Sequence, residues 1–143
     1  MKKLPIKIIT MGLLVGLVSG CNSAAYEYRK HPVAAEITVP IKQTVSAGET
    51  GLSVRFDKIE SDTRCPINAR CVWSGVAVVN ATVLNNKGDS QLLKLSTVNY
   101  EKVNRSEKVF GKRVTLLDLL PKPVVGKSAK PELNPPSIKV KID

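Results

Sequence analysis

Two runs of the 143-residue chain bring chemically distinctive side chains together at fixed spacing: Asp62-Thr63-Arg64-Cys65-Pro66 and Cys71-Val72-Trp73-Ser74-Gly75. They offer two thiols, a guanidinium fork suited to an anion, and an indole able to stack on a ligand or pack in a core. The thiols are spaced C-x5-C, which is not the C-x-x-C of thiol oxidoreductases. Other catalytic sets lack their parts. His31 is the single histidine, so a Ser-His-Asp triad or a multi-histidine metal site cannot be assembled. Both methionines, Met1 and Met11, fall in the first twenty residues, leaving the rest of the chain no thioether for copper. Asp57, Glu60, Asp62, Asp89, Glu101, Glu107 and Asp118 are carboxylates enough for a two-carboxylate hydrolase, but no pair is set apart by its surroundings. No catalytic residue, metal or cofactor is expected.

A third cysteine, Cys21, closes a leader. Lys2, Lys3 and Lys7 make a basic front, and the uncharged apolar run from Ile8 to Val18 is too short to cross a bilayer comfortably. Val18-Ser19-Gly20-Cys21 resembles the lipobox of bacterial lipoproteins, where small residues precede a cysteine that receives diacylglycerol before cleavage. The resemblance implies a membrane anchor at Cys21 and a place in the cell envelope. Asn22, rather than an aspartate, implies the outer membrane, on its periplasmic or surface face. The alternatives are an ordinary secreted chain and an uncleaved apolar helix with Cys21 buried. With Cys21 acylated, Cys65 and Cys71 remain close together in an oxidising compartment, and a disulfide between them is expected.

The chain carries a formal charge of +10. Removing the three leader lysines leaves 19 basic against 12 acidic residues, so the mature chain keeps +7. Lys112, Arg113, Lys139 and Lys141, with Arg64, are the candidate ligand-binding cations. In an envelope their partners would be anionic lipid, an acidic glycan or an acidic protein, and otherwise they serve solubility alone. Nucleic acid is not expected, because an exported lipoprotein rarely meets it and aromatic stacking platforms are scarce.

The two motif runs together resemble a D-x-R-C-P-x4-C-x-W-x-G signature of small secreted or lipoprotein-type bacterial proteins. Val114-Thr115-Leu116, followed by Pro121, Pro123 and a terminal strand, is similar to the end of that group. The resemblance implies an architecture and no activity. Physically the motif reads as a staple, with Pro66 stiffening a turn and Asp62 able to bond the backbone ahead of it. A strand through Cys71, Trp73 and Gly75 would turn all three to one face and pack the indole against the sulfur bridge. The functional alternative is an exposed Trp73 that docks sugar or lipid. Arg64 either pairs with Asp62 or Glu60, or presents its fork to an anionic ligand.

The elements that must position these residues are strands. Val33, Ala35, Ile37, Val39 and Ile41 alternate with Ala34, Glu36, Thr38, Pro40 and Lys42, and Pro40 makes that an edge strand or one with an interruption. Leu52, Val54 and Phe56 alternate, Ile59 falls out of phase, and a bulge is expected near Asp57-Lys58. Cys71 to Leu84 reads as a central strand, and Asn85 to Asp89 turns it into a return strand through Leu92, Leu93 and Leu95. Val98 to Gly111 is polar and weakly patterned and reads as a loop or short irregular element. Val114 to Leu120 is short and ends at Pro121, which favours a strand over a helix, and a proline-rich crossing leads to Ile138, Val140 and Ile142.

The expected fold is all-β: one β-sandwich or open-barrel domain of about six or seven strands over residues 33–143. Residues 1–20 would be signal peptide and residues 21–32 a lipidated tether. The expected function is a non-catalytic envelope lipoprotein, a binding or accessory module with a basic surface for an anionic ligand. An assembly or chaperone-like partner of an envelope complex is the alternative, followed by a small hydrolase.

Overall fold

The computed structural model of the chain describes residues 34–126 and 134–143. The leader, Cys21, the tether with His31, and Val33 lie outside them.

Eight antiparallel strands, numbered in chain order, form two four-stranded sheets. One has the order β1 (Ala35–Pro40), β8 (Ser137–Ile142), β7 (Lys112–Leu120), β6 (Ser106–Val109). The other has the order β2 (Thr44–Ser46), β3 (Leu52–Asp62), β4 (Ala77–Asn85), β5 (Ser90–Ser96). Both sheets are open, so the fold is a sandwich and not a barrel.

Period-two alternation decides which face of each strand turns inward. Ile138, Val140 and Ile142 of β8 are fully buried, against Val114, Leu116 and Leu119 of β7 and, from the facing sheet, Val54, Phe56, Val79, Val83 and Leu95. Each such side chain contributes roughly 1.5–3 kcal/mol of transfer free energy, so this layer is the main stabilising element. Val78, on the opposite face of β4, is buried as well, as befits a strand flanked by β3 and β5.

Pro40 ends an edge strand, paired with Ser137 on its one bonded side. The register of β3 on β4 slips between Phe56 and Lys58, which returns Ile59 to phase, and slips again between Ile59 and Ser61. Asn85 closes the β4–β5 hairpin by accepting from the backbone N–H groups of Lys87 and Asp89.

Two features differ from the sequence reading. The strand count is eight, because Thr44–Ser46 and Ser106–Val109 are strands too short and too polar to carry an alternation of their own. Their neighbours' ladders hold them extended. The strand expected from Cys71 begins only at Ala77, and residues 63–76 form an irregular loop.

The connections sort by length. The loops β3–β4, β5–β6 and β7–β8 gather at one end of the sandwich, which we call the loop end. The turns before β3, between β4 and β5 and between β6 and β7 occupy the other, where β1 also begins.

Candidate functional site

The β3–β4 loop is braced from within. Cys65 and Cys71 are joined by a disulfide. Closing so short a loop removes unfolded-state freedom worth about 2–2.5 kcal/mol. At the neck, Thr63 N–H donates to the Val76 carbonyl at 2.9 Å and Cys65 N–H to the Ser74 carbonyl at 2.9 Å. Gly75 lies under Thr63 at φ +71°, and a Cβ there would meet the Thr63 carbonyl oxygen at 1.9 Å. The motif glycine is therefore required by a backbone crossing.

Arg64 is a clasp between the sheets. Its Nε and Nη2 donate to the two carboxylate oxygens of Asp62 at 2.8 and 2.7 Å. The same guanidinium donates to the carbonyl of Leu119, and to that of Pro121 at 3.1 Å, both at the end of β7 in the opposite sheet. The side chain is only 10% exposed. Four of its five N–H donors are engaged within the fold, and of the pairings considered the one with Asp62 is formed. Arg105 makes a second clasp from the β5–β6 loop, its Nε donating to the Leu116 carbonyl at 3.0 Å and its Nη2 to that of Leu117 at 3.3 Å. The register shift between Leu116 and Asp118 takes this stretch of β7 out of regular pairing, and the two arginines bind carbonyls on either side of it.

Trp73 does not pack in the core. With residues 71–76 looped rather than extended, its indole is 51% exposed and lies at a 6.0 Å ring-centroid distance, tilted 40°, from Tyr100 of the β5–β6 loop. Next to it in the chain, Glu101 raises the Tyr100 phenol's pKa, through hydrogen bonding to the neutral phenol and through its negative charge. Among the described residues eight large hydrophobic side chains are exposed, and six of them lie on the three loops at this end: Ile67, Val72, Trp73, Val98, Tyr100 and Val125. Val72 is fully exposed. The remaining two, Leu92 and Phe110, stand apart on β5 and in the β6–β7 turn.

The candidate cations do not converge on one site. Arg113, Lys139 and Lys141 share the outer face of the β1-β8-β7-β6 sheet with Lys108, which pairs across from Arg113. Glu36, Asp118 and Asp143 are interleaved with them: Lys141 stands opposite Glu36 and pairs with Asp143 at 3.3 Å, and Lys139 stands opposite Asp118. Lys112, opposite buried Val109, falls on the inward parity of β7. Arg64 is at the loop end, inside its clasp.

Six of the seven carboxylates named from the sequence, all but Glu101, have a side-chain partner among the described residues. Asp57 accepts from Thr82 Oγ1 and Arg55 Nε, both at 2.7 Å, and Glu60 binds Lys94 Nζ at 2.6 Å, which holds its carboxyl below the usual glutamate range. Asp62 serves Arg64, Asp89 accepts from Asn85, and Glu107 from Asn104 at 3.5 Å. Asp118 binds Lys122 at 2.8 Å. No group of three or more His, Cys, Asp or Glu side chains suited to a metal ion occurs among the described residues.

Tyr100 and Arg105 are residues that sequence reasoning passed over, and Val72, read there as part of the central strand, is instead an exposed loop residue. The first two lie in the weakly patterned stretch, and their roles arise only where three loops meet. Comparison of the chain with protein-family models, with curated proteins and with solved structures finds no match in any of the three.

Proposed function

We propose that this chain is a lipid-anchored, non-catalytic binding or accessory module of the bacterial cell envelope, held to the outer membrane through Cys21. The observation that carries the reading is a division of labour at the loop end. The motif's charged groups, Asp62 and Arg64, are spent on bracing the loops, whereas Val72, Trp73 and Tyr100 are left to solvent. Preorganised loops on a rigid sandwich suit recognition, because little freedom remains to be lost on binding. The lipobox-like sequence before Cys21 and the D-x-R-C-P-x4-C-x-W-x-G resemblance support the envelope address.

A second reading concerns the outer face bearing Lys108, Arg113, Lys139 and Lys141, which would meet an anionic lipid or glycan. Its interleaved carboxylates make that attraction modest. An assembly partner of an envelope complex differs in requiring one dedicated protein ligand.

Mass spectrometry of the mature protein is expected to find an acylated N-terminal cysteine, and Cys21→Ser to leave the chain unprocessed or free of the membrane fraction. A normally processed, unmodified, soluble product would overturn the anchor. In-cell crosslinking separates the remaining readings: enriched lipopolysaccharide or glycan selects the ligand-binding module, and one reproducible protein selects the assembly partner. Turnover of a model substrate by the bare monomer would overturn both.

A further inference from the structure

We infer that the loop end is a membrane-interface surface, on which Ile67, Val72, Trp73 and Val125 enter the headgroup and upper acyl region of an anionic bilayer while Tyr100, Arg70 and Lys102 remain at headgroup level. This does not rest on acylation of Cys21 or on the basic outer face.

Composition comes first. Exposed apolar side chains are ordinary when scattered, but six of the eight among the described residues lie on loops at one end, with Trp73 and Tyr100 in contact there, a concentration that calls for an occupant. Tryptophan and tyrosine favour the bilayer interface, where one edge of the ring is dry and the other wet. Aliphatic knobs such as Val72 and Ile67 gain nothing from stacking on a sugar, and gain transfer free energy from hydrocarbon.

Charge follows the same logic. Arg70 stands two residues from Val72 and Lys102 two residues from Tyr100, both exposed, and neither forms an ion pair with a described residue. Cations beside an apolar tip complement lipid phosphates. Of the nearby described carboxylates, Asp62 and Asp118 are paired with Arg64 and Lys122, and Glu101 offsets one of the two cations, so the tip keeps a net positive charge.

Backbone satisfaction makes entry inexpensive. Irregular loops avoid hydrocarbon because their peptide groups lose water. Here Cys65 N–H donates to Ser74, Ile67 N–H to the Pro123 carbonyl at 3.0 Å and Ala69 N–H to the Pro66 carbonyl. The Asn68 side chain bonds both the N–H and the carbonyl of Val125. Residues 65–69 and Val125 therefore carry much of their own hydrogen bonding, and the peptide groups of residues 70–73 keep the water of the headgroup layer. The tip projects a fully exposed valine, a shape that a fluid interface accepts without a matching pocket.

Trp73 is the only tryptophan in the chain, so its emission reports on this surface alone. The mature chain, residues 21–143 carrying Cys21→Ser, is mixed with phosphatidylcholine vesicles with and without phosphatidylglycerol. On anionic vesicles the Trp73 emission is expected to shift to the blue and to be quenched by lipids brominated on the acyl chain. Val72→Asp, a change at a fully exposed position that leaves the fold intact, is expected to weaken that response roughly tenfold in lipid concentration. Leu92→Asp, on an exposed site of β5, is expected to leave it unchanged. An emission that stays unshifted and unquenched on vesicles to which the chain is bound would overturn the proposal. So would a Val72→Asp variant that responds as the parent does, the result expected if this patch served a protein partner instead.

Discussion

The guanidinium of Arg64, carried on the loop after β3, donates to the backbone carbonyl of Leu119 at the end of β7, so one side chain ties the two sheets together at the loop end. Asp62 holds the guanidinium in plane for that contact by accepting two bonds from it. A planar fork with fixed donors can serve a carboxylate and two carbonyls at once, and an ammonium cannot.

Arg64→Met is therefore expected to destabilise the domain by about 2–4 kcal/mol, since it removes several charge-assisted bonds and leaves Asp62 and two carbonyls short of partners. Arg64→Lys should recover only a minor part. Urea unfolding midpoints of the three proteins check the ranking, and a lysine variant as stable as the parent would contradict the clasp.

Gly75→Ala is expected to cost at least about 2–3 kcal/mol, from left-handed backbone strain together with a Cβ directed into the Thr63 carbonyl. Gly88→Ala isolates the first of these terms, because φ there is +91° but nothing lies within 4 Å of the added carbon. It should cost about 1–2 kcal/mol. Equal losses at the two positions would remove the steric argument.

Trp73→Ala should change stability by roughly 1 kcal/mol or less, because half of the ring is already in water. Phe56→Ala, at a fully buried site, should cost about 3–5 kcal/mol. Trp73 emission in solution is expected to be red and readily quenched by acrylamide. A blue, protected spectrum would place the indole in the core after all.

The pair of Glu60 and Lys94 gives an acid-side signature. The hydrogen bond from Lys94, aided by its charge, lowers the Glu60 pKa in the folded protein, so on acidification the unfolded chain takes up that proton first. The pair's stabilisation is present in full above the ordinary glutamate range and is lost as pH falls through the lowered native value. NMR titration of the Glu60 carboxyl should give a midpoint below that range, and Lys94→Met should return it upward. A midpoint indifferent to Lys94 would refute the linkage.

Much of the sandwich was legible because buried strands write their own period. Ile138, Val140 and Ile142 announced β8, Pro40 announced an edge or an interruption, and the phase slip at Ile59 announced a bulge. The disulfide could be anticipated from two cysteines six residues apart. The fate of Trp73 could not, because alternation carried back through Cys71 ignores the backbone crossing of Thr63 over Gly75 that ends the ladder at Ala77. Arg64 was legible as a partner of Asp62 but not as a clasp, since Leu119 lies 55 residues further along the chain. Tyr100 belongs to a weakly patterned stretch, and its neighbour across the loops is set by tertiary packing alone.

The placement of β1 has a mechanical consequence. The strand enters at the end remote from the loops and runs toward them, in register with β8 through six residue pairs from Ala35–Ile142 to Pro40–Ser137. A pull on the chain ahead of Ala35, resisted by whatever grips the loop tip, acts along the strand axis. It loads the β1–β8 bonds in shear, so they share the force and must yield together, whereas a pull across the strands would unzip them singly. A domain strung between two attachments in this way is oriented to bear tension.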